Sequence, residues 1–407
     1  MQSWIDNQWK SISPEWDRLM SSAIDMREQQ SAIFAMQNFE SGKLSGNVGV
    51  RSVRTLVNAN VPTPIPANVC PKTEPGKTPV PCVKYPTAIV DAANLYNWYD
   101  GTAFNPYGGT MWYLQPTEKT FWNLLPSVSF RYELDKNMVL RLAGSKTIGR
   151  QNYNIWGGAS GTPTCRDGIC TVTGPNPDLK PMTSENFDLN WSWYFAPRSL
   201  VSVGIFQSNI EGYTKFGGLQ QNNTIDVIDP ADGAIKPAFL ITASQQGAQI
   251  KGFDIGFEQP IGKTGFGITS NISRAVTSVE DGRPMTGASE WAGNLGGYYE
   301  NDRFSIRLVF NYRGDYVSSA TAPAPNSNAQ GNSTFQGVTL PAAHNWAAPV
   351  VNVALSSSFK ISKNLEASFS ATNLTDPVRA VYRYSQAEVE RQDVSGRQYY
   401  FNLKYKL

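Results

Sequence analysis

The stretch "GGYYENDRFSIRLVFNYR", residues 296 to 313, decides how the chain is read. Beyond the short turn Glu300-Asn301-Asp302, the residues Phe304, Ile306, Leu308, Phe310 and Tyr312 alternate with Ser305, Arg307, Asn311 and Arg313. A period of two puts each set on its own face of a β-strand, so one face meets apolar surroundings and the other polar ones. The pattern is that of one arm of an antiparallel hairpin.

Outward from this hairpin the alternation recurs. Val351, Val353, Leu355, Phe359 and Ile361 oppose Asn352, Ser356, Ser358 and Lys360; Leu365, Ala367, Phe369 and Ala371 oppose Glu366, Ser368, Ser370 and Thr372. Phe187, Leu189, Trp191, Trp193 and Phe195 oppose Asp188, Asn190, Ser192 and Tyr194. The C-terminal "SGRQYYFNLKYKL" sets Tyr399, Phe401, Leu403, Tyr405 and Leu407 against Tyr400, Asn402, Lys404 and Lys406. Less regular versions lie at 29–39, 44–55, 120–134, 138–149, 199–213, 247–259, 264–276 and 289–300, which makes about thirteen strands.

The connections alternate between short and long. Short turns fall at 40–46, 134–137, 196–199, 261–265, 300–302 and 362–364, and long polar stretches at about 56–119, 150–183, 214–246, 277–288, 314–347 and 376–395. In an up-and-down antiparallel order every short turn lands at one end and every long loop at the other. That is the asymmetry of a transmembrane β-barrel, with short periplasmic turns and long extracellular loops. A soluble sandwich or propeller has the same period. Against it stand the sustained short-long rhythm, strands long enough for a tilted crossing, and aromatic clusters at strand ends such as "WSWYF", "GGYYEN" and "RQYYF". No blade motif of about 40 residues recurs. In a closed barrel the last strand pairs with the first, so a chain can end inside its ladder.

Composition agrees: 12% aromatic, 17% charged, 34 glycines and 26 prolines, with a net charge of +2. Such a balance favours strands and turns and gives no basic footprint for nucleic acid. No run reaches the roughly 20 apolar residues of a membrane-spanning helix. The first twenty residues lack the basic and apolar regions of a secretory signal. The four cysteines fall as Cys70 with Cys82 and Cys165 with Cys170, and the two local pairings would close small loops in an oxidising compartment; four unrelated thiols are the alternative. Neither spacing is a CxxC motif, which makes zinc the weaker candidate, and no metal or cofactor is expected.

These residues resemble the TonB-dependent receptors, the active-transport barrels of Gram-negative outer membranes. The matching stretches are "LPSVSFRYEL", "VLRLAGSKTIGRQNY", "NPDLKPMTSENFDLNWSWYF", "GFDIGFEQPI", "NLGGYYENDRFSIRLVFNYRGDYV", "ATNLTDP" and "GRQYYFNLKYKL", in the family's order. The nearest look is to the subgroup common in xanthomonads and caulobacters, often linked to carbohydrate uptake. The resemblance implies the C-terminal part of a barrel of about 22 strands. Residues 29–407 would be barrel and residues 1–28 a partial extracellular loop, with "EWDRLMSSAIDMREQQ" as a short helix. The family's plug and TonB-engaging segment have no counterpart in these residues, and Leu407 stands where the family usually has an aromatic. TonB would then act only through that plug. Outer-membrane lipid, the barrel-assembly machinery and a small-molecule ligand are the other expected partners. An odd count of strands makes the first and last parallel, so thirteen cannot close simply.

Candidate ligand contacts are the loop aromatics Trp98, Trp112, Tyr113, Tyr153, Trp156 and Trp346, whose rings could cover the apolar faces of sugars or instead pack the loops. Arg131, Arg141, Arg307 and Arg313 read as lumen-facing, lining a path, gripping a plug, or pairing with acids such as Glu133, Asp254, Glu258 and Glu366. "NPDLKP" reads as a loop-shaping element with Asp178 closing a turn. The single histidine, His344, has no partner identifiable by position, and no GxSxG, HExxH or P-loop is present, so an enzyme is not expected. A passive pore, a surface-binding barrel and a ferric siderophore receptor are the rival readings.

Overall fold

The computed structural model describes residues 24–64, 112–158, 164–166, 169–215, 219–228, 235–319, 333–335, 338–340, 344–383 and 385–406. Thirteen strands make one antiparallel sheet in chain order. They are β1 (Asp25–Ser41), β2 (Leu44–Pro64), β3 (Trp112–Asp135), β4 (Met138–Gly149), β5 (Met182–Ala196), β6 (Ser199–Lys215) and β7 (Ser244–Pro260). There follow β8 (Phe266–Val279), β9 (Trp291–Glu300), β10 (Phe304–Arg313), β11 (Val350–Lys360), β12 (Leu365–Thr372) and β13 (Gln398–Tyr405). The count and the six short turns match the reading of the sequence. A two-residue turn joins β1 to β2 through Gly42 and Lys43, and Gly42 takes a φ of 59°, where a side chain would be strained.

Register carries the two faces across the sheet. Arg131 stands opposite Arg141, Arg141 opposite Asn190, and Asn190 opposite Gly204. Further on, Tyr298 stands opposite Arg307, Arg307 opposite Ser356, Ser356 opposite Ser370, and Ser370 opposite Tyr400. All four arginines therefore share the polar face. On the other face Phe187, Leu189, Trp191, Trp193 and Phe195 of β5 run alongside Val201, Val203 and Ile205 of β6. From Phe187 to Phe195 a strand rises about 27 Å, or about 21 Å along the membrane normal at the usual tilt, close to the height of an outer-membrane apolar band. Polar pairs end the band at the long-loop side: Lys146 Nζ lies 3.1 Å from Glu185 Oε1, and Gln249 Nε2 donates to Asn209 Oδ1 at 2.8 Å. Rings gather at the short-turn side, with Phe266 and Tyr299 centroids 4.7 Å apart and Trp193 and Phe195 5.3 Å apart.

Two expectations need correction. Asp25–Gln30, read as loop and helix, are strand residues opposite Thr55–Asn60; the start of "EWDRLMSSAIDMREQQ" lies outside the described residues. The stretch 56–119, read as a long loop, gives its ends to β2 and β3, which pair from Leu44↔Tyr132 to Pro64↔Trp112. The physical reason is a change of phase: above the band Val53, Thr55, Val57, Ala59 and Val61 turn a buried face inward while Asn58 and Asn60 point out. The strand continues after its surroundings have exchanged sides, so a pattern keyed to lipid loses it. In keeping with the odd strand count, β1 and β13 do not pair with each other: among the described residues β1 bonds only to β2 and β13 only to β12. Twelve antiparallel steps separate them, so they run in the same direction.

The long connections also contain structure. Thr164–Arg166, Ile169–Gly174, Ile235–Thr242 and Leu219–Ile228 form a four-stranded sheet in which the middle two strands are parallel. Tyr316–Ser319, Asn345–Ala347, Arg379–Tyr382 and Val389–Asp393 form a second.

Candidate functional site

The outer end of the ladder is capped from inside by the connection between β4 and β5. A short helix α1 (Tyr153–Gly157) is started by Asn152, whose side chain accepts from the Asn154 amide at 2.9 Å. The helix sets Trp156 against Val57, Ala59, Val61, Leu179 and Ala243, and its indole Nε1 donates to the Leu179 carbonyl at 3.0 Å. At 3% exposure Trp156 packs the loops, the second of the two readings its sequence position allowed. Tyr153 is 46% exposed and donates to Glu28 Oε2 at 3.2 Å, while Arg150 holds the other oxygen at 2.6 Å.

The "NPDLKP" segment fixes the same cap. Asn176, rather than the expected Asp178, closes the turn: its Oδ1 accepts from the Asp178 amide at 3.0 Å. Asp178 is instead tied to Lys119 of β3 at 2.7 Å. Gln245 and Gln151 both donate to the Lys180 carbonyl, at 2.7 and 3.0 Å. Because β3 outruns β4, a recess of about 630 Å³ opens here, lined by Asn123, Lys180, Glu211, Gln245 and Glu280 among others.

Trp346 lies in the second outer sheet, half-buried, opposite Val317 on one side and Tyr382 on the other. Below it the connection from β8 to β9 contributes a buried ion pair, Arg283 Nε to Asp281 Oδ2 at 2.8 Å. His344 is 8% exposed, and burial, helped by the Arg283 charge, holds its pKa below the ordinary 6.5. Burial, then the Asp315 carboxylate, raises the Tyr382 phenol. The sequence offered no periodic signal for this cluster. Of the remaining aromatics, Trp112 and Tyr113 open β3 opposite Pro64 and Thr63, and Trp98 lies outside the described residues.

On the polar wall the arginines are occupied locally. Arg131 reaches Glu133 at 2.6 Å, Arg141 donates to Ser192 Oγ at 2.9 Å, and Arg307 stacks over Tyr298 at 5.5 Å. Arg313 donates to Ser289 Oγ at 3.0 Å and the Gly287 carbonyl at 2.8 Å. Only Glu133 of the expected acids is a partner. One row was not anticipated: Asn271, Asn294, Asn311 and Asn352 stand opposite one another across β8 to β11, about 14 Å from end to end.

A ladder with apolar outside, polar inside and capped outer mouth is matched over residues 5–374 by the family model described as TonB dependent receptor-like, beta-barrel. The chain belongs to that family. Its barrels reside in the outer membrane and its members are receptors and transporters rather than enzymes. Among solved structures the receptor barrel is similar to the siderophore receptor PirA from Acinetobacter baumannii, at 16% identity and a TM-score of 0.58 over 93% of this chain and 55% of that one. It is similar to the ferric enterobactin receptor PfeA from Pseudomonas aeruginosa, at 13% identity and 0.57, over 93% and 54%. The copper transporter OprC gives 10% identity and 0.58, over 94% and 48%. The chain thus spans about half the length of these structures. No curated protein matches it in sequence.

One cysteine pair and one family-like stretch now have a physical account. Cys165 and Cys170 are disulfide-bonded across the hairpin of the first outer sheet, whereas Cys70 and Cys82 lie outside the described residues. In "ATNLTDP", Asn373 has a φ of 59°; its Nδ2 donates to the Gly396 carbonyl at 2.7 Å and its Oδ1 accepts from Asn352 at 3.1 Å. Asp376 Oδ1 accepts from the Gly396 amide at 3.1 Å. The motif clamps the outer ends of β11 and β12 to the entry of β13.

Proposed function

We propose that this chain is the C-terminal barrel portion of a TonB-dependent receptor, with barrel from residue 25 onward, that takes up a small neutral, hydroxyl-rich ligand. A plug and a TonB-engaging segment are its expected partners, and the subgroup common in xanthomonads and caulobacters is its nearest kin. The observation that carries the ligand class is the row Asn271, Asn294, Asn311 and Asn352 on the polar face, where Asn271 and Asn311 are exposed and the other two half-buried. Carboxamides offer a donor and an acceptor each without charge, which suits hydroxyl groups. Tyr153 and Trp346 are proposed aromatic contacts at the mouth, alongside Trp98, Trp112 and Tyr113. A ferric siderophore is the second reading, supported by the siderophore receptors among the structural neighbours.

Equilibrium binding to the receptor assembled with its plug tests this. Neutral oligosaccharides are expected to bind, and Asn294→Leu with Asn311→Leu to weaken them by at least about tenfold through lost hydrogen bonds. Binding of ferric siderophores alone would sink the carbohydrate reading; an open conductance without ligand binding would favour a passive pore.

A further inference from the structure

The apolar face of β9 is interrupted near its outer end. Gly293 stands opposite Ile272 of β8 and Tyr312 of β10, with Trp291 two residues above it and Leu295 two below. With Phe310 these side chains wall a notch of about 380 Å³ whose floor is bare backbone. A Cβ on Gly293 would lie 2.7 Å from the Asn271 carbonyl oxygen, so the floor cannot be filled without moving the strand. The walls are 38% to 55% exposed and belong to the face whose register makes it the membrane face.

The notch lies just below the headgroup level, since β9 begins at Trp291 and returns at the short turn after Glu300. Two cations stand on the same face at that rim. Arg274 stacks over Trp291 at 5.3 Å and is paired with Glu290 at 2.6 Å, so its charge is already answered. Lys251 is exposed, opposite Val276 and diagonal to Arg274, and has no carboxylate within ion-pair distance among the described residues. By ladder spacing it stands roughly 16 Å from Gly293, two strands across and towards the outer rim.

We propose that the Gly293 notch holds an acyl chain of an outer-leaflet lipid whose anionic headgroup is met by Lys251. An apolar hollow of this size falls in the range of small-molecule sites, and one left empty forfeits dispersion contacts along its whole lining. Only a chain already dissolved in the membrane reaches it from that side. An unpaired lysine at headgroup depth selects negative charge.

The test uses the full chain, delipidated in detergent and offered equal amounts of phosphatidylglycerol and phosphatidylcholine with the same acyl chains, with retained lipid read by native mass spectrometry. One phosphatidylglycerol per chain is expected, preferred about fivefold, the factor one basic side chain contributes near an anionic surface. Lys251→Gln should bring the two lipids to parity while retention persists. Ile272→Trp, which fills the notch from its rim, should abolish retention of both; if circular dichroism shows that this variant does not fold, Tyr312→Ala, which removes a wall, should do the same. Equal retention of both lipids by the unaltered chain would overturn the proposal. So would retention unchanged by the wall variants, or a lipid-free dimer with the notch covered by a second copy.

Discussion

In the membrane, Leu295, Phe310 and Tyr312 stand 55%, 45% and 46% exposed on the outer face of their strands, and lipid is what covers them. Above the membrane, Val57, Ala59 and Val61 of β2, a strand of the same sheet, and Trp156 of α1 packed against them are 3% to 6% exposed and are covered by protein. The first region is held by a ladder of backbone hydrogen bonds with its apolar side chains turned to solvent of the right kind. The second is a small hydrophobic core of its own. The difference teaches that one sheet can change solvent partway along its strands, and that the sign of its amphipathicity changes there.

The largest expected effect breaks the cap and spares the ladder. Trp156→Ala removes a fully buried indole and its hydrogen bond to Leu179, at a cost of about 3–5 kcal/mol. Proteolysis within 150–181 should rise sharply while the strand signal in circular dichroism stays. A ladder that collapsed with the cap would show that the two regions are one cooperative unit. Next, adjacent residues of β10 should respond oppositely to one change. Leu308→Arg places a charge on the lipid face and should cost about 2–4 kcal/mol in folding into bilayers, whereas Val309→Arg, on the lumen face, should cost under about 1. Equal costs would break the assignment of faces.

The fold was legible because lipid and lumen impose a strict period, as Phe304 to Arg313 display. The cap was not, because a core closed by α1 and a connecting loop has no period. Trp156 and Tyr153 are three residues apart and read alike in sequence, yet one is core and the other is exposed with its hydroxyl on Glu28. The Asn271 to Asn352 row is equally silent, since its members are 81 positions apart in the chain and meet only through register across four strands. The "NPDLKP" motif pointed to Asp178 as the turn-closer; Lys119, distant in sequence, takes that carboxylate, and Asn176 closes the turn.

Two smaller effects sharpen the boundary between the regions. Asn373→Ala removes a side chain that bridges Asn352 and Gly396 and leaves a left-handed backbone to alanine, at about 1–3 kcal/mol. Hydrogen exchange should increase at the entry of β13 and not at β5. The smallest concerns pH. His344, the only histidine, is buried beside Arg283 at the second outer sheet with a lowered pKa, so protonation favours the unfolding of that cluster. The stability it contributes is present above about 6.5, its ordinary value, and is lost as pH falls through the lower folded value. Protease sensitivity at 314–347 should therefore rise in that acid window, and His344→Gln should flatten the dependence.

The alternation of surroundings along β10 is the most direct test of the whole account. Nitroxide labels placed singly at residues 304 to 313 in reconstituted bilayers report collisions with oxygen, which concentrates in lipid, and with a water-soluble nickel chelate. Oxygen access should peak at 304, 306, 308, 310 and 312, and nickel access at 305, 307, 309, 311 and 313. Nickel access at every position, or the opposite phase, would contradict a ladder that turns its apolar face to the membrane.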